Sequence, residues 1–439
     1  MVDANSEKEA IVWRGESFTY KWLEENWLLW KARLESAGLG NQAVVVLEAD
    51  FSPAAITALF ALIELGCVVA PLLRSTRGDL QRIYGIAEAE YRLRVAENEA
   101  WDLESLPGTP SHPHYAALRE RGHPGLVLFS SGTSGEPKAA VHDVVPLLGK
   151  FMTRRPPWRT VAFLLFDHIG GINTIFHTVS NAATLITVSE RTPDAVCAAI
   201  ERSKAEVLPA SPTFLRLLLL SSAQDRFDLS SVRVVNYGTE PMSEATLKRL
   251  QDAFPQAQLQ QSYGLAEVGI LRSRSKSNDS TWLKVGGEGI ETRVVDGVLQ
   301  IKSPSTMLGY LNAPSPFTDD GWFVTGDAVE VDGDYLRILG RRSELINVGG
   351  QKVYPSEVEE VIETMGNVAA ATVYGEPNPL MGSIVCARVA LIDHEDEGKF
   401  AIRVKRHCRE RLPAYQVPVK VAVVGREMIG ERFKKLRTQ

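Results

Sequence analysis

The chain has 439 residues, 44% hydrophobic and 23% charged, which excludes a disordered or fibrous protein and leads us to expect two or three domains. A formal net charge of −6 gives no reason to expect nucleic acid or a membrane surface as a partner. The cysteines Cys67, Cys197, Cys386 and Cys408 form no CxxC pair, which argues against a zinc site or disulfide scaffold and suits a reducing cytoplasm.

Read in chain order, the acidic, polar start MVDANSEKEA has none of the character of a signal peptide. Trp22, Leu23, Trp27, Trp30 and Leu34 then recur at helical spacing, predicting a helix over 18–38 that closes at Gly38. VVVL (44–47) predicts a buried strand, 53–65 a helix and 67–71 another strand. The apolar stretch 56–73 is broken by Glu64 and Gly66 and ends beyond Pro71, so it reads as a buried helix feeding a strand and not as a membrane span. LVLFSS (126–131), VAFLLF (161–166), ATLITV (183–188), EVLPA (206–210) and VRVVNY (232–237) continue the strand series, with helices expected at 193–203 and 212–222. This alternation favours parallel sheets covered by helices.

From Leu283 the texture changes to the Gly-punctuated, strand-rich KVGGEGIETRVVDGVLQIKSP, which suggests a small β subdomain over about 283–340. Beyond Arg341 a helix at 355–365, strands at 369–375 and 384–391, a charged turn HEDEGKF and a basic helix at 401–412 suggest a separate α+β unit. The fold class is thus α/β. A large N-terminal domain of helix-covered sheets (1–340, β subdomain included) is joined by a hinge to a small α+β C-terminal domain (344–439).

The strongest chemical signal is SSGTSGEPK, 130–138, directly after an apolar strand. Small residues let a tight loop bring backbone N–H groups against phosphate oxygens. Ser130, Ser131, Thr133 and Ser134 add hydroxyls, Gly132 and Gly135 freedom of backbone, and Lys138 a positive charge. No GxxxxGK[ST] is present, which disfavours a P-loop ATPase. YGLAE (263–267), WFVTGD (322–327) and GRRSELINVGGQKVYPSEVEEVI (340–362) follow in order.

Each of these motifs alone is weak, but together they resemble the adenylate-forming superfamily of acyl-CoA synthetases, luciferase-type enzymes and peptide-synthetase adenylation domains. The resemblance runs from the 18–38 helix to the terminal FKKLR. It implies that the 130–138 loop holds the ATP phosphates, with Thr133 and Glu267 at Mg²⁺. It also implies that Tyr263 packs on adenine, with Gly264 in the same turn, and that the backbone of Gly238, Thr239 and Glu240 in NYGTEPM borders the adenine. Asp327 would accept the ribose hydroxyls, with Arg341 beside it, and His168 of FDHIGG would meet the substrate carboxylate. His142 also matches a frequent family position, with no chemistry assigned. Aligning FKKLR on Leu436 and Arg437 places Lys434 where the family's catalytic lysine bridges the acid and the α-phosphate.

The chain departs from the family at Phe433, where Gly is usual, at Ser343 in the hinge, where Asp or Lys is common, and at Ala266, where Thr is common. The implied reaction is ATP-dependent formation of an acyl-adenylate with pyrophosphate release, then transfer to a thiol, foremost that of coenzyme A. A carrier-protein thiol or a small amine or hydroxyl is the alternative acceptor, and a non-catalytic nucleotide-binding protein is the rival of another class. The acid pocket is expected near 168–174, 212–216, 236–239 and 261–269, fitting an aromatic or a short to medium aliphatic acid.

Overall fold

The computed structural model describes residues 5–74, 79–131, 136–425 and 430. Two seven-stranded sheets form its main body. The first runs in space Gln258–Gln261, Val234–Tyr237, Val207–Ala210, Thr160–Ala162, Leu185–Thr187, Glu9–Trp13, Glu16–Thr19. It is parallel up to its last strand, which pairs antiparallel. The second has four parallel central strands, Gly125–Ser131, Val68–Leu72, Val44–Glu48 and Tyr91–Val95. Antiparallel strands flank them, Pro137–Asp143 and Gly309–Tyr310 on one side and Trp101–Ser105 on the other.

The helices Tyr20–Ser36, Pro53–Glu64 and Ile169–Ser180 fill the space between the sheets. One continuous core holds Leu34, Leu59 and Ile175 from these helices, Ile11 and Leu185 from the first sheet, and Val45, Leu47 and Leu128 from the second. Pro53–Glu64 is apolar all round because every residue from Pro53 to Leu62 is buried. Its start is set by Ser52, whose hydroxyl accepts from the Ala55 amide, and by Pro53 in the first turn. No helix among the described residues is long and apolar enough to cross a membrane.

Six antiparallel strands form a third sheet, from Ser273–Ser275 to Tyr335–Arg341, with a core of Leu283, Leu299, Ile301, Phe323 and Leu336. A five-stranded sheet follows over Ile346–Val348, Gln351–Val353, Val368–Asn378, Gly382–Leu391 and Lys420–Val424. The helices Pro355–Glu363 and Glu397–Arg409 supply Val358, Ile362, Phe400 and Val404 to its own core.

Three expectations need correction. VAFLLF forms a strand only over Thr160–Ala162, because the chain then turns into the cap of the next helix. HEDEGKF is not wholly a turn: Asp396 accepts from the Lys399 amide and starts Glu397–Arg409 four residues before the expected helix. The first strand pair, Glu9–Trp13 and Glu16–Thr19, was not anticipated, because only the edge position next to Leu185–Thr187 makes it a strand.

Candidate active site

The motif residues gather around one short hairpin, Tyr263–Leu265 against Gly269–Leu271. Gly264 is required there, since a Cβ would lie 2.6 Å from Ile270 Cδ1 and 2.7 Å from the Gly269 carbonyl oxygen. The hairpin touches a network on each side.

On one side the Tyr263 hydroxyl donates to Asp327 Oδ2 at 2.6 Å, and Arg341 Nε pairs with Asp327 Oδ1 at 3.0 Å. Asp327 and Arg341 face each other across adjacent antiparallel strands, so a local register delivers the pair. The Asp327 amide donates to Thr325 Oγ1, and Arg341 Nη1 also donates to the Thr325 carbonyl. Burial first, then the Asp327 charge, holds the Tyr263 phenol well above its ordinary pKa, so it remains a donor. Burial opposes the Arg341 charge, but Asp327, Tyr263, Glu267 and Glu344 together outweigh it and raise its pKa.

On the other side, Glu267 Oε1 accepts from the Tyr310 hydroxyl at 2.7 Å, and Lys138 Nζ lies 5.4 Å from the Tyr310 ring centroid, within cation–π range. Burial first, then Glu267, raises the Tyr310 pKa. Tyr310 belongs to the strand beside Pro137–Asp143, opposite Ala140. Ser130 pairs with Lys138 and Ser131 with Pro137 in adjacent antiparallel strands. Buried His142 bonds through Nε2 to the Ala266 carbonyl at 2.6 Å and ties that strand to the hairpin tip. Tyr310 escaped the sequence reading: it lies 43 residues from Glu267 and only strand pairing brings it close.

Gly238 and Thr239 follow the strand Val234–Tyr237 at its C-terminal end, where ligands meet open parallel sheets. A Cβ at Gly238 would approach the Ser262 carbonyl oxygen to 2.6 Å, and Thr239 takes a left-handed φ of 77°, a strained value for a β-branched residue. The Glu240 carboxylate turns to the start of Pro212–Leu220, accepting from Thr213 Oγ1 at 2.6 Å.

His168 caps Ile169–Ser180, its Nδ1 accepting from the Gly170 amide at 3.1 Å. The glycines after it serve packing: a Cβ at Gly171 would lie 2.0 Å from the Leu165 carbonyl oxygen. Gly132, Thr133, Ser134, Gly135 and Lys434 lie outside the described residues.

Arg216 ends the segment 212–216, expected near the acid pocket. It is buried and faces the C-terminal domain, donating to the carbonyls of Glu363 and Val368 at 2.8 Å each and of Ala369 at 3.1 Å. A cleft of 390 Å³ opens there, between the Pro212–Leu220 and Pro355–Glu363 helices. Its lining includes Arg337, Glu357, Glu360 and Gln416, and of the hairpin network it includes no member.

Comparison with known proteins shows the family. A 2-succinylbenzoate–CoA ligase of Listeria monocytogenes is 26% identical over 456 residues, covering 96% of this chain and 94% of that protein. An anthranilate CoA ligase in complex with anthranoyl-AMP superposes with a TM-score of 0.84 at 20% identity, covering 99% of this chain and 93% of that one. An amide bond synthetase of Marinactinospora thermotolerans shares the fold with a TM-score of 0.77 at 24% identity, covering 95% and 93%. The model of the AMP-binding enzyme family matches residues 2–311, and that of the AMP-binding enzyme C-terminal domain matches 357–429. The chain belongs to the AMP-binding enzyme family and is a ligase of its acid-activating kind.

Proposed function

We propose that the chain binds ATP at the Tyr263–Leu271 hairpin, joins a carboxylic acid to AMP with loss of pyrophosphate, and passes the acyl group to coenzyme A. The observation that carries this reading is that one hairpin links Asp327 and Arg341 on one side to Glu267, Tyr310 and Lys138 on the other. A nucleoside with its phosphates needs such a pair of ends. Asp327 accepts the ribose hydroxyls, Tyr263 borders the adenine with Gly238 and Thr239, and Lys138 with the loop from Ser130 meets the phosphates.

No group of three or more His, Cys, Asp or Glu side chains among the described residues could hold a resident metal ion. The lone carboxylate of Glu267 fits Mg²⁺ arriving on ATP phosphates, a cation that takes one or two carboxylates and completes its shell with water and phosphate. Bound there, Mg²⁺ offsets the charge of the leaving pyrophosphate.

The acid attacks the α-phosphorus in line, so no protein nucleophile is needed and catalysis is positioning plus charge stabilisation. Lys434 supplies the cation between the acid and the α-phosphate. After pyrophosphate leaves, the C-terminal domain turns about the segment at Ser343 and presents the 349–355 face to the thiol. Coenzyme A is preferred as acceptor because curated relatives matching nearly the whole chain are named CoA ligases. The amide bond synthetase on the same fold keeps an amine acceptor as the second reading. Free, buried cysteines fit a cytoplasmic setting.

The test is pyrophosphate release from ATP across a panel of acids, followed by acceptor competition between coenzyme A and amines. Lys434→Ala is expected to slow adenylate formation about a hundredfold, the scale of losing one preorganised charge contact. It should spare transfer from supplied acyl-adenylate, with Lys435→Ala as control. No pyrophosphate release with any acid would refute the activity. Normal adenylate formation by Lys434→Ala would refute its role.

A further inference from the structure

Glu267 and Lys138 carry opposite charges and border the same network, yet no ion pair joins them among the described residues. Tyr310 meets both: its hydroxyl donates to Glu267 Oε1, and Lys138 Nζ lies over its ring. A direct pair would leave neither charge for a ligand without first being broken. An aromatic contact holds the cation without neutralising it, because the ring offers a quadrupole and not a charge. The hydroxyl occupies one carboxylate oxygen and fixes the side chain, with Oε2 left to face a cation.

The same short stretch of chain grips the surroundings of both groups. At the Glu267 end, the Met307 amide donates to the Glu267 carbonyl at 2.7 Å, and the Ser305 hydroxyl donates to the Val268 carbonyl at 2.8 Å. At the Lys138 end, the Leu311 amide donates to the Ala139 carbonyl at 2.9 Å. The Asn312 side chain then continues the ladder. Its Nδ2 donates to the Pro137 carbonyl at 2.9 Å, and its Oδ1 accepts from the Ala139 amide at 3.0 Å. A side-chain amide has the donor and the acceptor of a peptide group, so it stands in for the next residue of a strand. Pro137 begins the strand that carries Lys138, and the ends of elements open most easily. Asn312 therefore fixes the backbone on both sides of Lys138 at the end most prone to fray.

We infer that 305–312 is the positioning element of the nucleotide site. Tyr310 orients the Glu267 carboxylate and keeps the Lys138 charge apart from it, and Asn312 holds the backbone that carries Lys138. Both are positioning residues, since each acts through another side chain. This rests on the reading that Glu267 meets Mg²⁺ and Lys138 meets the phosphates of ATP. Within that reading Tyr310 serves the metal side and Asn312 the phosphate side.

The test is calorimetric titration of the full chain with ATP, in Mg²⁺ and again in excess chelator, alongside hydrogen exchange of the Ala139 amide in the ATP-free protein. Tyr310→Phe keeps the ring beside Lys138 and removes only the bond to Glu267. It should weaken ATP binding in Mg²⁺ about tenfold, the scale of losing the hydrogen-bond partner of a metal-facing carboxylate, and change binding in chelator by less than about twofold. Ala139 protection should stay as it is. Asn312→Ala should do the reverse. With two hydrogen bonds lost, Ala139 protection should fall about tenfold, and ATP binding should weaken equally with and without Mg²⁺. If both variants lose binding equally in Mg²⁺ and in chelator, together with melting temperature, the segment is only structural and the inference fails. Unchanged affinities in both variants would also overturn it, while pyrophosphate release would leave acid activation standing. Absence of ATP binding by the unmutated chain would remove the underlying reading as well.

Discussion

Two guanidinium groups, the half-buried Arg341 and the buried Arg216, show opposite solutions to one electrostatic problem. Arg341 meets a carboxylate, Asp327, directly across a strand pair, and its charge is favoured despite burial. Arg216 meets three neutral carbonyls between 147 and 153 residues away in sequence, in the other domain, with the Glu363 carboxylate no closer than 4.0 Å. Burial, with Arg249 adding to it, lowers its pKa against the opposing pull of Glu363. The first arrangement lies within one sheet and persists as long as the sheet does. The second spans a domain interface and exists only while the domains are docked this way. Under the proposed cycle, a corner that holds a nucleotide would gain from permanence, whereas an interface that reorganises between half-reactions would gain from contacts to neutral partners that water can replace.

Removing Asp327 is the most damaging way to break this contrast. Asp327→Ala takes away the proposed acceptor for the ribose hydroxyls and leaves Arg341 without its carboxylate. Hydrogen bonds to a charged group contribute about 1.5–3 kcal/mol each, so ATP affinity by calorimetry should fall about a hundredfold or more, with a lower melting temperature. Unchanged affinity and melting would remove Asp327 from the site.

Arg216→Met should leave the nucleotide corner intact and loosen the domains. The three carbonyls it caps regain solvent, and protection of the 363–371 amides in hydrogen exchange should fall about tenfold, close to 1.4 kcal/mol. ATP affinity should change less than twofold. Equal losses of ATP binding and amide protection would mean that the two regions are not separable.

The smallest effect concerns pH. Burial raises the pKa of Glu357 and of Glu360 above the ordinary 4.5. For Glu357 the Tyr354 amide, Arg337 and Gln416 oppose that rise and Glu330 adds to it. For Glu360 the Glu244 amide and Arg337 oppose it, and the Glu244 and Glu363 charges add to it. A carboxyl whose pKa is raised binds its proton more tightly in the docked state. Its contribution to docking is complete below the ordinary pKa and is lost as pH rises through the raised one. Docking, followed by the same amide protection corrected for intrinsic exchange, should tighten modestly as pH falls from neutral toward 4.5. Glu357→Gln with Glu360→Gln should flatten the profile, and a slope of opposite sign would contradict the assignment.

The sequence by itself determined the elements whose signals are local. Pro53–Glu64 was legible because cap, proline and apolar run coincide, and Pro193–Ser203 because Thr192 and Pro193 mark its start. Tyr263, Glu267, Asp327 and Arg341 were legible because they sit in the motifs YGLAE, WFVTGD and GRRSELINVGGQKVYPSEVEEVI, whose joint order resembles the family. Tertiary structure decided what they touch. Tyr310 reaches Glu267 through an edge strand, Arg216 turns to carbonyls of another domain, and Lys150 finds its oxygens on a helix and a hairpin 23 and 120 residues away. The physical reason is one of range. Propensity, capping and alternation act over a few residues, whereas desolvation and charge pairing depend on whichever distant groups packing brings within a few ångströms.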